Sequence, residues 1–451
     1  MKTATTKPFT KFIIPLFIGG VLLSVLMFKT LMFHSDNIQI MDKATRLIQT
    51  GQWTHYGNLA TKVGSIPGSF LTAVTAWPMM LYYSPYAAMA VILLFHILSF
   101  YFLQKTANQI LLTPNLLNTQ PSQQNRGLVS LLLVIFYWLN PWRVEQSELY
   151  NPGYLFLFAA LHLWTTQKMQ EKNFWLTLVH VLTVGFCFQV HFSFLILAFV
   201  SCILFLTGQL KVNWKGFSAG VFLILLSLTP YILERFFAPE LIEKQIDFSR
   251  SDAFFGRNAV LVYPVLKAIL YFFRMGSLYF GRHIFSEIQF EWITSEPVRL
   301  GVSFLFHGLK WLLAGLTLFF SFRWLGGFFK NYAWKQNFKI KRSTEPNPAS
   351  RFDDYMAALF VATILAAGLS PVEFNHWHLI LAFPAISLFM VFKIYGLLSD
   401  NIQMQKYKNI FLIVCALIFL SWDLFIALGS RSHSCKNDYE KSFFEHYHSE
   451  K

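Results

Sequence analysis

Charged residues are unusually scarce in this sequence. Only 13% of its 451 residues are Asp, Glu, Lys or Arg, about half the share typical of a soluble domain. That low share argues against a cytosolic enzyme or a nucleic-acid module, although the net charge is +14. The four cysteines form no zinc-type pair and no legible disulfide framework. A phosphate-binding loop of the G-x-x-x-x-G-K-[ST] kind is also missing, so neither a nucleotide cofactor nor an ATP-driven pump on one chain is expected.

Apolar residues dominate instead. They make up 55% of the chain, with 50 Phe and 13 Trp, and the mean hydropathy is +0.45. Because a helix needs about 20 apolar residues to cross a bilayer, the sequence predicts an all-α, polytopic transmembrane helical bundle. Eleven spans are predicted, at residues 12–33, 85–104, 127–140, 153–167, 174–190, 192–208, 216–234, 301–322, 355–372, 379–398 and 409–429.

The distribution of Lys and Arg predicts the side on which each loop lies. We place the N-terminus in the cytoplasm and let segment 68–82 lie in the outer interface without crossing. The cytoplasmic side then carries 19 Lys and Arg against 9 outside, once loop 235–299 is excluded. Such long loops escape the positive-inside bias. The first span has a basic start and no convincing cleavage site, which predicts an uncleaved signal-anchor. A bacterial inner membrane is the expected location, and an endoplasmic reticulum membrane is the alternative.

This topology divides the chain into four parts. They are a membrane module at 1–234 with a first outer loop at 34–84, a large outer loop with interfacial helices at 235–299, C-terminal transmembrane helices at 300–429, and a short outer tail at 430–451.

The most informative stretch begins at His34 and ends at Trp53. Asp36 stands where the first span ends, at the outer surface. Apolar residues after it recur at helical spacing up to Gly51, which predicts an amphipathic helix on the interface. A carboxylate held there can take a proton from an acceptor hydroxyl. Ser35 and Asp36 are also favoured helix caps, and the two roles are compatible.

This arrangement resembles the GT-C superfamily of glycosyltransferases. The likeness is closest to the branch with protein mannosyltransferases and lipid A aminoarabinose transferases, and it covers roughly the N-terminal half of the chain. Ser84-Pro85 opening the next span and Asn140-Pro141 closing the third add to it. In that family an acidic residue of the first outer loop, often in an Asp-Glu pair, is central to catalysis. The resemblance thus implies a catalytic role for Asp36, while Asn37 in the second position leaves divalent-cation use and activity itself open.

The family also places a polar cluster in the outer turn between the third and fourth spans. Here that turn contains Arg143, Glu145, Glu148 and Tyr150. Carboxylates accept hydrogen bonds from hydroxyl groups, and aromatic rings stack on sugar faces, so we expect these residues, with His34, to bind substrate. An ordinary interfacial turn with Trp142 and Tyr150 as aromatic anchors, and Arg143 paired with a glutamate, is the competing interpretation.

GT-C enzymes use a polyprenyl-phosphate sugar as donor, so cations near the outer surface are expected to hold its phosphate. The candidates are Arg250, Arg257, Arg274 and Arg282 in the large outer loop, and His376 and His378 before Pro384. Contacts with phospholipid headgroups are the alternative for each arginine. Two histidines two residues apart diverge on a helix, so no metal site is predicted there. Lys310 and Asp423 lie within spans, where charged residues are functional candidates by default; pairing of the two with each other is the alternative.

The sequence thus predicts a membrane glycosyltransferase that needs no nucleic acid. It would move a sugar from a polyprenyl-phosphate donor to a glycan, lipid or protein acceptor at the outer face. The resemblance implies a single inverting displacement. Three alternatives stay open: a transporter or flippase for a lipid-linked or small solute, a surface polysaccharide polymerase or ligase, and a non-catalytic relative. The transporter hypothesis draws on the Gly- and Pro-interrupted segments 153–167 and 262–281, but it also predicts two matching halves, which the sequence lacks.

Overall fold

The computed structural model describes residues 10–28, 35–60, 64–111, 123–237, 262–281, 288–290, 292–338, 347–370, 374–400 and 402–431. Helices make up most of these residues. The α-helices are α1 (Thr10–Met27), α2 (Ser35–Thr50), α3 (Phe70–Leu81), α4 (Pro85–Leu111), α5 (Gln123–Leu133), α6 (Pro141–Glu145), α7 (Leu155–Lys168), α8 (Phe174–Phe188), α9 (Phe194–Leu206), α10 (Trp214–Phe237), α11 (Val262–Phe273), α12 (Met275–Gly281), α13 (Glu296–Phe338), α14 (Pro348–Gly368), α15 (Phe383–Asp400) and α16 (Ile402–Leu428).

The predicted helical membrane architecture is confirmed. Each of the eleven predicted spans coincides with a helix. Within the described ranges, four helices are long and apolar enough by themselves to cross a membrane, at Pro85–Leu111, Trp214–Phe237, Glu296–Ala333 and Gln403–Leu428. Shorter apolar helices accompany them, and α3 is one of these.

Two short strand pairs depart from the all-α prediction. Strands β1 (Tyr56–Ala60) and β2 (Gly64–Pro67) pair antiparallel just after α2, with Tyr56 opposite Pro67. Strands β3 (Ile288–Gln289) and β4 (Ser430–Arg431) pair antiparallel and tie the end of α16 to the segment before α13. Such short ribbons carry little hydrophobic alternation, so the periodicity of the sequence does not reveal them.

Close helix packing around glycine holds α8 against α10. A Cβ atom added to Gly220 of α10 would lie only 2.8 Å from the Val181 side chain of α8. Gly216 faces the backbone of Phe174 in the same way, and Gly185 faces Ile224. In a membrane no hydrophobic driving force brings helices together, so their association depends on close van der Waals packing. Small residues such as glycine allow that packing, because they let the helix backbones approach each other.

The first outer loop starts and ends at one end of the bundle. Phe28, which follows α1, stacks on Tyr86 in the first turn of α4, with ring centroids 6.2 Å apart. At the end of α3, the Tyr83 hydroxyl accepts a hydrogen bond from Gln49 of α2 at 3.1 Å. Helix α4 therefore begins on the side where α1 ends, as the placement of 68–82 in the interface requires. We call this end of the bundle the site face.

The large outer loop contains a helical hairpin that enters the bundle. Val265 in α11 lies against Gly368 at the end of α14, whereas Phe273 at the end of α11 contacts Phe360, two turns further inside α14. Helix α12 then packs along α13, and its Tyr279 hydroxyl is 3.3 Å from Ser387 Oγ of α15. The hairpin is thus partly buried among α13, α14 and α15, deeper than the interfacial position predicted for helices of this loop.

Candidate functional site

Asp36 lies on the site face in the first turn of α2. The helix begins at Ser35, so Asp36 follows the helix start and is not the capping residue before it. A carboxylate in a first turn is stabilised by the helix dipole. The amphipathic helix ends as predicted: Thr50 is its last residue, and Gly51 adopts a positive φ of 70°. Ile38 and Met41 on its apolar face are buried.

Asn58 connects this helix to the turn between the third and fourth spans. Its side-chain amide donates to the backbone oxygen of Asp36 at 2.7 Å and to Asn151 Oδ1 at 3.1 Å. Asn58 stands in strand β1 and is buried. The hairpin of β1 and β2 therefore brings together two parts of the chain that are more than a hundred residues apart, the start of α2 and the polar turn.

The polar turn takes its shape from a π-helical segment, Val134–Trp138. The next helix starts at Pro141, where the missing N–H costs no hydrogen bond. Asn140 caps that helix, because its side-chain oxygen accepts from the Trp142 N–H at 3.0 Å. The Trp138 carbonyl, which an uninterrupted helix would pair with Trp142, instead accepts a hydrogen bond from Arg143 Nε.

Arg143 consequently points into the bundle. Its Nη1 donates to Ser24 Oγ of α1 at 3.0 Å, and its guanidinium lies 4.1 Å from the centroid of the Trp138 ring. The side chain is fully buried. Burial lowers the pKa of this guanidinium, and the Asp423 carboxylate on α16 opposes that shift. Arg143 hydrogen-bonds to α1 and the π-helical segment, which differs from the expected pairing with a glutamate of the turn.

Tyr150 in the turn lies within the electrostatic reach of both Asp36 and Glu148. Burial raises the pKa of the Tyr150 hydroxyl, and the charges of Asp36 and Glu148 raise it further, because a phenolate there would be a third negative charge. Glu145 and Glu148 are buried. Trp142 is buried as well, against Phe383, so it is not an interfacial anchor. Asp36, Glu148 and Tyr150 thus form an acidic end of the site face.

Cations gather along one side of α11, which runs from the site face into the bundle. Lys267, Tyr271 and Arg274 follow one another at helical spacing, and both cations lie over the Tyr271 ring, at 5.9 and 5.6 Å from its centroid. The ring of His376 is 6.3 Å from the ring of Tyr271. The Lys267 ammonium donates to Asn375 Oδ1 at 2.9 Å. We call this group the cationic end.

Polar contacts connect the two ends. Asn151 donates from its side-chain amide to the Val190 carbonyl at 3.3 Å. The next residue, His191, places its ring 5.4 Å from the ring of His378, whose Nδ1 accepts from the Asn375 N–H at 2.9 Å. The side chain of Asn375 in turn accepts the hydrogen bond from the Lys267 ammonium. These contacts, in which the step from His191 to His378 is a contact between rings, run across the site face from the Asp36 backbone to Lys267. We call them the polar track.

The structure therefore gathers six of the twelve predicted site residues in one site. Asp36, Glu148 and Tyr150 lie at the acidic end, Arg274 and His376 at the cationic end, and His378 between them. Glu145 is buried in the polar turn, and Arg143 beside it faces inward. Four candidates lie outside the described residues, namely His34, Arg250, Arg257 and Arg282.

Four contributors to the track were not predicted: Asn58, Asn151, His191 and Lys267. The spacing of Lys267, Tyr271 and Arg274 at i, i+4 and i+7 is a signal that could have identified the lysine. Asn151 directly follows the polar cluster in sequence. Nothing in the local sequence distinguishes Asn58 or His191, whose positions depend on long-range packing.

Asp423 and the buried histidines also have defined surroundings. The charge of Asp423 raises the pKa of Arg143, whereas the sequence suggested that Asp423 could pair with Lys310. His162 and His180 both lie within hydrogen-bond distance of Ser201 Oγ, at 2.9 and 3.0 Å, which makes them hydrogen-bonded core residues. In the described part of the chain, no three His, Cys, Asp or Glu side chains form a group that could hold a metal ion.

Comparison with known proteins gives similarity in structure only. No protein-family model matches the sequence. No curated protein matches it significantly. The crystal structure of ArnT from Cupriavidus metallidurans bound to undecaprenyl phosphate matches with a TM-score of 0.51 and 10% identity, over 97% of this chain and 76% of that one. The apo structure of the same ArnT matches with a TM-score of 0.47 and 12% identity, over 96% and 75%.

At 10% identity, the match to the undecaprenyl-phosphate-bound structure establishes the fold alone. It spans nearly the whole chain, beyond the N-terminal half in which the sequence shows its resemblance. The chain therefore shares the fold of this ArnT structure, a polytopic bundle of membrane helices, in line with the resemblance seen in the sequence.

Proposed function

We propose that this protein is a membrane glycosyltransferase that moves a sugar from a polyprenyl-phosphate donor to a hydroxyl of a glycan, lipid or protein acceptor. The observation that carries the proposal is the polar track, which joins an acidic end to a cationic end on one face of a GT-C-like fold. Transfer of a sugar from a phosphate needs both, a base for the acceptor and cations for the leaving group.

At the acidic end, Asp36 would act as the general base. The acceptor oxygen attacks the anomeric carbon, and its proton passes to the Asp36 carboxylate. A new carbon–oxygen bond forms as the bond to the donor phosphate breaks, so one displacement inverts the anomeric configuration. Tyr150 lies close enough to Asp36 and to Glu148 for both charges to act on its hydroxyl, which suits Tyr150 and Glu148 to orient acceptor hydroxyl groups.

At the cationic end, Lys267, Arg274 and His376 would receive the phosphate. The electron pair of the broken bond goes to a phosphate oxygen, which gains negative charge in the transition state. Fixed cations near that oxygen stabilise it more than they stabilise the bound donor. Because α11 descends between other helices, its cations can meet a phosphate whose polyprenyl chain stays within the membrane. The ArnT structure was solved with undecaprenyl phosphate bound, and we propose a carrier of this class here.

We further propose that the site face is extracytoplasmic and that the protein lies in a bacterial inner membrane. The charge distribution supports this orientation, with 19 Lys and Arg on the predicted cytoplasmic side against 9 on the other. Polyprenyl-linked sugars would then be used on the side where envelope glycans are assembled.

Replacing Asp36 tests the base. In purified protein reconstituted in vesicles, we expect Asp36→Asn to slow release of undecaprenyl phosphate from an undecaprenyl-phosphate-linked sugar. A loss on the order of 10²- to 10⁴-fold is expected for a general base. The matched control is Asp42→Asn on the same helix, where the carboxylate pairs with Arg46 at 3.3 Å near solvent. Equal activity of the Asp36→Asn variant and the wild type would refute the assignment.

A further inference from the structure

His191 occupies the middle of the polar track. It lies in the turn between α8 and α9, directly after Val190, whose carbonyl accepts from Asn151 on the acidic side. On the other side its ring faces the ring of His378 at a centroid distance of 5.4 Å. His191 keeps part of its surface exposed. The proposed function gives roles to the two ends of the track and leaves this position unassigned.

The hydrogen bonds of His191 determine where its proton lies. The backbone N–H of Ser193 donates to its Nδ1 at 3.1 Å, and the Ser193 hydroxyl lies 2.9 Å from the same atom. A backbone amide always carries its hydrogen, so Nδ1 must supply the lone pair. In the neutral ring the proton then sits on Nε2. Burial, together with the nearby His378, lowers the pKa of His191 to about 3. Hence Nε2 is an uncharged N–H donor.

Neighbouring rings hold this imidazole in place. His378 stacks on Phe374 with ring centroids 5.1 Å apart and planes 20° apart. Its Nδ1 accepts from the Asn375 N–H, and its own backbone N–H returns a bond to the Asn375 carbonyl at 3.1 Å. A capped turn therefore fixes the His378 ring as the wall beside His191. The His191 ring is held by Ser193 at Nδ1 and by the His378 ring beside it. A donor that is already held in place loses little conformational entropy when it binds a ligand.

The chemistry along the track indicates what His191 meets. Carboxylates stand at one end, where the acceptor nucleophile would bind. Cations stand at the other end, where the donor phosphate would bind. The part of the donor that lies between them is the sugar, which offers hydroxyl oxygens and a ring oxygen. Neutral N–H donors suit such acceptors, because a cation there would compete with the cationic end for the phosphate.

We propose that His191 is a specificity-determining residue, which donates a hydrogen bond from Nε2 to an oxygen of the transferred sugar. This inference rests on the proposed function, since it presupposes a polyprenyl-phosphate sugar bound along the track. It adds the prediction that the site binds a sugar-linked polyprenyl phosphate more tightly than polyprenyl phosphate alone, because of this one hydrogen bond from an uncharged donor.

Binding measurements can separate the sugar from the phosphate. In detergent-solubilised protein, we would measure the Kd of undecaprenyl phosphate and of undecaprenyl phosphate linked in turn to glucose, mannose and arabinose. The wild type is expected to bind at least one linked form more tightly than the bare carrier. His191→Phe should weaken that form about fivefold, the effect of one neutral hydrogen bond, and leave the bare carrier unchanged. His191→Gln, whose amide can replace Nε2–H, should keep most of the preference.

Lys267→Ala provides the complementary variant, since it should weaken the bare and the linked carriers alike. If His191→Phe does not fold, His191→Leu and His191→Asn take its place, because neither carries a donor at the position of Nε2. An undiminished sugar preference in the donor-lacking variants would overturn the inference, and so would equal weakening of both ligands. A wild type that binds the bare carrier but prefers no linked form would also overturn it. If the wild type binds neither carrier, the proposed function fails and this inference with it.

Discussion

At the residue scale, Arg143 organises the polar turn from within the bundle. Three neighbours determine where it points: Trp138 offers a carbonyl that its own helix does not use, Ser24 offers a hydroxyl, and Asp423 supplies a negative charge. The turn that carries Glu145 and Glu148 is thereby attached to α1 and α16. A cation in an outer turn of a membrane protein usually suggests a lipid or substrate phosphate. Here the surroundings favour a role in holding the acidic end in shape.

Removing this cation should destabilise the protein strongly. Arg143→Leu leaves the Trp138 carbonyl and the Ser24 hydroxyl without their donor and removes the positive charge that acts on buried Asp423. The loss of a donor costs about 1–3 kcal/mol for each buried group left without a partner. We expect a marked decrease in the thermal unfolding temperature in detergent. The double variant Arg143→Leu/Asp423→Leu should recover part of the loss, because no charge then stays buried alone. Arg46→Leu is the control, since the Arg46 side chain is 51% exposed. A double variant less stable than either single one would argue against coupling between the two charges.

His191 predicts a pH dependence of stability. Its pKa in the folded protein is about 3, below the ordinary value of 6.5, so the unfolded chain binds a proton more readily. The contribution of neutral His191 to the free energy of unfolding is complete above pH 6.5 and is lost as the pH falls toward 3. His191→Asn should therefore lose less thermal stability than the wild type between pH 7 and about pH 4.5. Identical losses in the two proteins would show that His191 does not titrate in this way.

At the element scale, glycine-mediated contacts and one helical hairpin determine how the site face is built. Gly216 and Gly220 bring α10 close to α8, and α8 leads directly into the turn that carries His191. The hairpin of α11 and α12 brings Lys267 and Arg274 beside His376. The polar track therefore depends on how closely helices pack, and not only on the loops at their ends.

Enlarging a contact glycine tests this packing. Gly220→Leu should separate α10 from α8, because even its Cβ would lie 2.8 Å from the Val181 side chain. Overpacking of this kind costs about 1–3 kcal/mol. Gly308→Leu on α13 is the matched control, since an added Cβ meets nothing within 4 Å there. We expect a lower unfolding temperature for the first variant only. Equal effects of the two variants would mean that the α8–α10 contact does not limit stability.

At the scale of the whole molecule, the bundle has one chemically distinctive end. The acidic end, the cationic end and His191 between them all belong to the site face. Helix α4 begins on the side where α1 ends, so the alternation of later helices keeps the polar turn on the same side as Asp36. A glycosyltransferase needs this arrangement, because donor and acceptor must meet in one compartment.

Accessibility of single cysteines tests this sidedness. In a background without the four native cysteines, Gln52→Cys, Tyr82→Cys and Trp292→Cys should react with an impermeant maleimide added to intact cells. All three positions are exposed on the site face. Glu171→Cys and Asn331→Cys, exposed at the opposite end, should react only after permeabilisation. Opposite accessibility of Gln52 and Tyr82 would mean that α3 crosses the membrane and that the site is divided between two compartments.

The sequence predicted several local features correctly because each depends on nearby residues. Helix α2 ends at Thr50, next to Gly51, helix α4 begins at Pro85, and the third predicted span closes at Asn140-Pro141, where a new helix starts. Glycine conformational freedom and the missing N–H of proline act within one helical turn. The catalytic assignment of Asp36 stays a prediction, because it came from the resemblance and awaits the variant that tests it.

The sequence by itself determined that this chain is a multi-helix membrane protein, since the length and polarity of a span are properties of consecutive residues. It also identified the segments that carry chemistry. Only the tertiary structure decided which of those side chains meet. Arg143 turned inward because a carbonyl and a hydroxyl lay within its reach. Lys267 and His191 joined the site because helices far apart in sequence packed together. Such contacts depend on the complementary shapes of whole helices, which no short stretch of sequence encodes.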